Sequence, residues 1–167
     1  WERIHHLIML PTYQEDIAII RSTLRSLSQS QFPHQRLWIV LGGEERDRER
    51  FERQATLLRK EFEGVFGGWL TTIHPKGLPD EIPGKGSNLH WMGERVKTWI
   101  TQNHPQIAAE DIVVSSFDID TVVHPQYFPY LTYVYCKHPR PTRTSSKPIA
   151  LYNNNMWESP AIMRVMA

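Results

Sequence analysis

The sequence predicts an α/β protein with a mainly parallel sheet, and three observations lead to this prediction. Short apolar runs typical of buried strands alternate with segments whose apolar residues recur at helical spacing. Helices between consecutive strands imply right-handed crossovers, which leave neighbouring strands parallel. The length of 167 residues suffices for one core, so we interpret residues 1–167 as a single domain. Because the chain begins at Trp1 rather than Met, we expect it to be a fragment of a larger protein.

The first quarter of the chain predicts a strand, a helix and a second strand. Residues 4–10 (IHHLIML) form an apolar run that Pro11 ends, and residues 37–41 (LWIVL) form the next one. We expect Glu15 and Asp16 in the first turn of the intervening helix, where the helix dipole favours negative charge. The apolar positions of that helix lie on one face; they are Ile17, Ile20, Leu24 and Leu27.

The remaining elements continue the alternation. The charged stretch 44–63 has one apolar stripe and predicts a second helix with a solvated outer face. Residues 69–73 predict the third strand, and a loop rich in proline and glycine follows over 75–86. Residues 112–117 (IVVSSF) predict the fourth strand, whose apolar start is typical of a sheet buried on both faces. The helix between these strands is marked by Leu89, Met92, Val96 and Ile100.

Composition excludes several classes of function. Lys and Arg total 19 and Asp and Glu total 18, for a net charge of +1, so the basic excess of a nucleic-acid-binding protein is missing. The single cysteine, Cys136, allows neither an internal disulfide nor a cysteine zinc site, and suits a reducing compartment. The eight histidines lack metal-binding spacing. No apolar run approaches the roughly 20 residues that span a bilayer, so we expect the fragment itself to be soluble.

A pair of carboxylates follows the fourth predicted strand. Sites in parallel sheets lie at the carboxyl ends of the strands, and Asp118 and Asp120 stand at such an end. Both can turn toward one Mg²⁺ or Mn²⁺, which prefer oxygen ligands and commonly take one or two carboxylates plus substrate phosphates. The alternative is a turn, with Asp120 or Thr121 capping the next helix.

A second candidate is the segment 84–87 (GKGS), which opens a predicted helix. Glycines let backbone amides approach an anion, the helix N-terminus favours negative charge, and Lys85 adds a full positive charge. The segment is not a Walker A loop, because Pro79 and Gly86 stand where that motif needs Gly and Ser or Thr. The alternative is a flexible loop with Ser87 as the helix cap.

The turn after the first strand argues against two other nucleotide-binding classes. Residues 11–15 (PTYQE) contain no glycine, whereas a dinucleotide-binding turn needs the pattern GxGxxG at this place. The same segment also lacks the glycine-rich arm of sugar nucleotidyltransferases.

The order of these segments resembles family 2 glycosyltransferases, which include cellulose and hyaluronan synthases. That family has a strand ending in Pro-Thr-Tyr-Asn-Glu, a TLxSLxxQ helix, a Gly-Lys-x-x-Asn/Ala-Leu stretch, an Asp-x-Asp-Thr metal motif and, in some membrane-bound members, an Asn-rich segment with Trp. The matching segments are 10–15 (LPTYQE), 23–30 (TLRSLSQS), 84–89 (GKGSNL), 118–121 (DIDT) and 152–157 (YNNNMW).

The resemblance implies a GT-A fold, a Rossmann-like arrangement, here in truncated form. It implies a UDP- or GDP-sugar donor bound with Mn²⁺ or Mg²⁺, and transfer with inversion to a glycan or lipid acceptor. It also implies a membrane-anchored parent protein with its site on the cytoplasmic face. By position, the nucleotide-sugar-binding residues are Pro11, Thr12, Tyr13, Glu15, Glu44, Lys85 and Asp118, and the metal ligands are Asp118 and Asp120.

Two departures from the family pattern limit what the resemblance implies. Residues 42–45 (GGEE) replace the family's Asp-Asp-Gly-Ser, so either Glu44 takes over the contact with the base or the base is held differently. The family's catalytic base and its Gln-x-x-Arg-Trp acceptor motif are missing from these residues, so we expect the fragment alone to be inactive. A non-catalytic nucleotide-binding or assembly module with the same fold remains the alternative.

Overall fold

The computed structural model of the protein describes residues 1–79, 81–82 and 84–147. Strands and α-helices alternate throughout this part of the chain, as the sequence predicts. The elements are β1 (His5–Pro11), α1 (Ile17–Ser28), β2 (Leu37–Glu44), α2 (Arg48–Glu61), β3 (Gly68–His74), α3 (Lys85–Asn103), β4 (Ile112–Ser116) and α4 (Tyr127–Lys137).

The four described strands form one sheet in the order β3-β2-β1-β4. Every pair of neighbours is parallel: Met9 of β1 lies opposite Val40 of β2 and Ser116 of β4, and β2 pairs with β3 in the same direction. The carboxyl ends of all four strands therefore lie along one edge of the sheet. The predicted α/β class with a mainly parallel sheet is confirmed.

The sheet is covered on both sides, which explains the continuous apolar run of β1. Ile8 and Leu10 pack on one side with residues of α1, α2 and α4, whereas Leu7 and Met9 pack on the other side with residues of α3. Alternating side chains of a strand point to opposite faces, so both sets must be apolar. The predicted stripe of α1 is confirmed, since its residues Ile20, Leu24 and Leu27 are fully buried.

Strand β2 is three residues longer than the sequence predicts. The prediction ended at Leu41, but Gly42 and Gly43, whose residue type has a low strand propensity, continue the strand to Glu44. Both glycines lie where helices approach closely. A Cβ on Gly42 would stand 2.3 Å from Met92 Sδ, and one on Gly43 would stand 2.4 Å from the Phe51 ring.

The predicted start of α1 is wrong by two residues. The helix begins at Ile17, and Asp16 is its N-cap, with Oδ1 accepting a hydrogen bond from the backbone N–H of Ala18 at 2.7 Å. Asp16 therefore satisfies an end group of the helix instead of lying in its first turn. Glu15 lies outside the helix because its carboxylate turns back toward the end of β1.

Burial on both faces is also a wrong prediction for β4. The side of β4 that faces α3 is packed only at Ile112, and Val114 is 58% exposed. Val114 lies opposite the fully buried Leu7 of β1. On this side of the sheet, side chains therefore change from buried to exposed between β1 and the edge strand β4. Helix α3 packs against β1, β2 and β3, which leaves this part of the edge strand open.

Candidate functional site

The sequence-predicted site residues all lie along the carboxyl edge of the sheet. The N–H of Thr12 bonds the carbonyl of Gly42 at 2.8 Å, and the N–H of Phe117 bonds the carbonyl of Met9 at 3.1 Å. These bonds place the segments after β1, β2 and β4 side by side. Asn88 of α3 is buried and donates through Nδ2 to the same Gly42 carbonyl at 3.1 Å, which joins the start of α3 to this edge.

Asp118 and Asp120 form an exposed carboxylate pair around a buried anchor. The side chain of Ile119 between them is 6% exposed and packs in the core under α1, and its carbonyl accepts a hydrogen bond from Thr23 Oγ1. The N–H of Thr121 bonds the carbonyl of Asp118 at 3.0 Å and closes a turn. The turn of the alternative prediction is thus present, but Asp120 and Thr121 do not cap the next helix, because the N-cap of α4 is Gln126.

The carboxylate pair fits a divalent cation that has other ligands as well. Carboxylate oxygens suit Mg²⁺ and Mn²⁺, but two side chains do not fill a coordination shell. Among the described residues, no group of three or more His, Cys, Asp or Glu side chains is arranged to hold a metal ion. A cation at Asp118 and Asp120 would therefore take oxygens from a bound ligand.

Lys85 is brought directly to Asp118. It is the first residue of α3, where Gly84 is the N-cap and Ser87 Oγ donates back to the Gly84 carbonyl at 2.8 Å. Its Nζ forms an ion pair with Asp118 Oδ1, and the two side chains are 50% and 72% exposed. Unpaired N–H groups at a helix N-terminus attract anions, so positive and negative groups meet here in solvent.

The turn after β1 is held by Glu15. Its Oε2 accepts a hydrogen bond from Thr12 Oγ1 at 2.6 Å and another from the N–H of Tyr13 at 2.5 Å. Gln14 between them has φ of 65°, a left-handed conformation that costs a non-glycine residue about 1 kcal/mol. The carboxylate of Glu15 therefore stabilises a strained turn that presents Tyr13, and Pro11 is the buried last residue of β1.

Glu44 lies at the end of β2 and binds Arg46. The Glu44 side chain is 6% exposed, and its Oε2 accepts from Arg46 Nε at 2.9 Å and also from Nη2. The guanidinium lies over the Tyr13 ring, 4.2 Å from the ring centroid. Hydrogen bonding to Glu44 raises the pKa of Arg46 further. Sequence analysis missed Arg46, although an arginine two residues from a strand-end carboxylate is a usable signal.

The end of β3 is tied down by two contacts that sequence analysis also missed. His74 Nε2 lies 3.0 Å from Glu81 Oε2, and the His74 side chain is only 7% exposed. The N–H of Lys76 donates to Glu45 Oε2 at 2.8 Å, and this bond lowers the pKa of the Glu45 carboxyl. The loop after β3 is thereby joined to the segment after β2.

No protein-family model matches this sequence, and no curated protein matches it. Solved structures do match: residues 1–349 of S. aureus TarS superpose with a TM-score of 0.55 at 13% identity, over 90% of this chain and 40% of that one. This chain shares the fold of TarS. The structure of the same TarS region in complex with UDP-GlcNAc gives a TM-score of 0.51 at 14% identity, over 90% of this chain and 39% of TarS. The chain thus spans about 40% of the length of the TarS structure it matches.

Part of the sequence-based prediction lies outside the described residues, namely the Asn-rich segment 152–157. Within the described ranges, none of the helices is long and apolar enough to cross a membrane.

Proposed function

We propose that this protein is a donor-binding glycosyltransferase domain that takes a UDP- or GDP-sugar together with Mn²⁺ or Mg²⁺. The observation that carries the proposal is the ion pair of Lys85 with Asp118, two residues before Asp120, at the carboxyl edge of the parallel sheet. The fold supports it, because it is shared with residues 1–349 of TarS, which have been solved in complex with UDP-GlcNAc.

Each of these residues has a role set by its charge and position. Asp118 and Asp120 would hold the cation, and Lys85 with the first amides of α3 would bind the diphosphate. The bound cation supplies positive charge that offsets the negative charge developing on the departing diphosphate. The nearby turn, with Tyr13 held by Glu15, would lie against the nucleoside.

The wider proposal concerns the whole enzyme and rests on the family resemblance. In this proposal, the whole enzyme transfers the sugar with inversion to a glycan or lipid acceptor, and a general base deprotonates the acceptor hydroxyl. Such a base contributes roughly 100- to 10,000-fold to the rate. We propose that the enzyme is membrane-anchored and faces the cytoplasm.

Calorimetric titration of the protein with UDP, GDP and UDP-GlcNAc, with Mn²⁺ and with EDTA, tests the proposal. We expect binding that is at least about tenfold tighter with Mn²⁺, because charge-assisted contacts to the diphosphate are worth about 1.5–3 kcal/mol. If none of these compounds binds, the proposed function is refuted. Equal affinity with and without Mn²⁺ would refute the metal role alone.

Turnover separates an enzyme from a binding module. We expect the full-length protein in membranes to release UDP or GDP from its sugar donor in an acceptor-dependent manner. Tight nucleotide binding without any donor turnover by the full-length protein would identify a non-catalytic module with the same fold.

A further inference from the structure

We infer that Arg46 selects the base of the donor by the group at position 4 of a pyrimidine or position 6 of a purine, favouring a carbonyl oxygen there (uracil O4, guanine O6) over an amino group (cytosine, adenine). The inference rests on the proposed function, since it concerns the nucleotide that this edge of the sheet would bind. It assigns the contact with the base to Arg46 and gives Glu44 a supporting role.

The position of Arg46 is set on two sides. Glu44 accepts from its Nε and Nη2, and the Tyr13 ring lies 4.2 Å from its guanidinium carbon. Tyr13 is itself held, because its N–H donates to Glu15. A planar guanidinium bound by a buried carboxylate and stacked on a ring has lost most of its rotational freedom, so its remaining N–H groups have defined directions.

Every further hydrogen bond that the Arg46 side chain can form is one that it donates. A guanidinium has five N–H groups and no acceptor, and two of the five are used by Glu44. The Arg46 side chain is 34% exposed, so the rest are open to a ligand. Glu44 is the opposite case: it is almost fully buried and its Oε2 is already bound to Arg46. Of this pair, Arg46 is the one that meets a nucleotide.

The spacing along the sheet edge separates Arg46 from the diphosphate site. Arg46 follows β2 and Asp118 follows β4, with β1 between them. Neighbouring strands lie about 4.8 Å apart, so the ends of β2 and β4 are about 10 Å apart along the edge. That separation suits a nucleoside with its diphosphate at Asp118 and Lys85 and its base at Tyr13 and Arg46.

Because the Arg46 guanidinium donates hydrogen bonds and accepts none, it discriminates between bases. Uracil offers its O4 oxygen and guanine its O6 oxygen to a guanidinium, and arginine binds the O6 and N7 atoms of guanine as a bidentate pair. Cytosine and adenine place an amino group at the equivalent position, and that group cannot accept a hydrogen bond from Arg46. UDP and CDP therefore form a matched ligand pair, as do GDP and ADP, because the members of each pair carry the same charge.

The test is calorimetry with UDP, CDP, GDP, ADP and inorganic pyrophosphate in the presence of Mn²⁺, on the wild-type protein, Arg46→Ala, Arg46→Lys and Glu44→Gln. The control variant is Arg53→Ala, which removes the same charge from an exposed position on α2. Thermal unfolding of each variant shows whether it is folded.

In the wild-type protein we expect a keto base to bind at least about tenfold tighter than its amino partner, near the lower end of the discrimination that a bidentate arginine gives between bases. Arg46→Ala should bring this ratio close to one and leave pyrophosphate affinity unchanged. Arg46→Lys and Glu44→Gln should give intermediate ratios, since a charge remains but the fixed fork is lost. Arg53→Ala should keep the wild-type ratio.

Three results would overturn the inference. A wild-type protein that binds UDP and CDP equally, and GDP and ADP equally, makes no selection. An Arg46→Ala variant that loses affinity for all nucleotides and for pyrophosphate by the same factor shows a phosphate clamp. A folded Arg46→Ala variant that keeps the wild-type ratio shows that another group reads the base. Wild-type protein that binds no nucleotide at all refutes the proposed function as well, whereas the first three results leave it standing.

Discussion

The two halves of the carboxyl edge use ionisable side chains under opposite conditions of solvent exposure. At the ends of β2 and β3, Glu44 and His74 have side chains 6% and 7% exposed and are bound by Arg46 and Glu81. At the end of β4, Asp118 and its partner Lys85 are 72% and 50% exposed. The first half is assembled from its own side chains, and the second half is open to solvent.

Because of this difference in burial, the β2–β3 half is suited to positioning a ligand, and the β4 half is suited to exchanging one charged partner for another. Removing one member of a buried, hydrogen-bonded charge pair leaves an uncompensated charge and is costly. An exposed ion pair contributes only about 0–1 kcal/mol, so Lys85 and Asp118 can change partners at little cost. We therefore expect the β2–β3 half to hold its shape when a nucleotide arrives and the β4 half to rearrange around it.

The largest expected effect is on the open half. Asp120→Asn should abolish most of the gain in UDP or GDP affinity that Mn²⁺ provides, a loss of about 10- to 100-fold for removed charge-assisted contacts. Calorimetry with and without Mn²⁺ measures it. Glu49→Gln, which alters a side chain 90% exposed on α2, is the control and should keep the full gain. A metal-linked gain that survives in Asp120→Asn would place the cation elsewhere.

The second expected effect is on the pH dependence of stability, and it comes from His6 of β1, the strand that lies between the two halves. Burial lowers the pKa of His6 to about 3, and its Nε2 lies 2.8 Å from Thr132 Oγ1. The unfolded chain takes up a proton below about pH 6.5 and the folded chain does not, so this contribution to stability is lost as the pH falls from 6.5 toward 3. At pH 5 the loss is about 2 kcal/mol relative to pH 8.

Denaturant unfolding at pH 8 and pH 5 measures this contribution. The loss of stability between the two pH values should be about 2 kcal/mol smaller in His6→Gln than in the wild-type protein. The control His90→Gln changes an exposed residue and should behave like wild type. Identical pH dependence in His6→Gln and wild type would mean that His6 is protonated in the folded protein.

The third prediction compares the two halves directly. Glu44→Gln should lower the free energy of unfolding by about 1 to 2 kcal/mol, because the partly exposed Arg46 loses its charged partner. Asp118→Asn should change it by no more than about 0.5 kcal/mol, as surface substitutions do. Urea titration of both variants at pH 8 gives the values. Equal losses in the two variants would remove the distinction between an assembled half and an open half.

The smallest expected effect is a pair of affinity changes with opposite signs. In Lys85→Ala, nucleotide affinity with Mn²⁺ should fall about threefold to tenfold, since one cation on the diphosphate is lost. Affinity for Mn²⁺ alone should rise slightly, because Lys85 no longer neutralises Asp118. Titration of Mn²⁺ followed by electron paramagnetic resonance measures the second quantity. A decrease in both affinities would show that Lys85 supports the metal site instead of competing for Asp118.

The parts of the fold that are encoded over a few neighbouring residues were predictable. The stripe of α1, the strand that precedes Asp118 and the helix that begins near Lys85 each follow from local periodicity or from glycine and proline positions. The errors arose where a contact from elsewhere in the chain overrides local preference. β2 continues through Gly42 because this residue pairs with Thr72 of β3, and β4 is partly exposed because of its place at the sheet edge.

The sequence by itself determined the α/β class, the carboxylate pair Asp118 and Asp120, and Lys85 at a helix start. Tertiary structure alone decided that Lys85 meets Asp118, 33 residues away, and that Arg46 lies between Glu44 and Tyr13. The physical reason is that periodicity reports which face of an element is buried, whereas the contacts between elements depend on strand order and register. Once β1 lies between β2 and β4, the side chains after these strands meet at one edge.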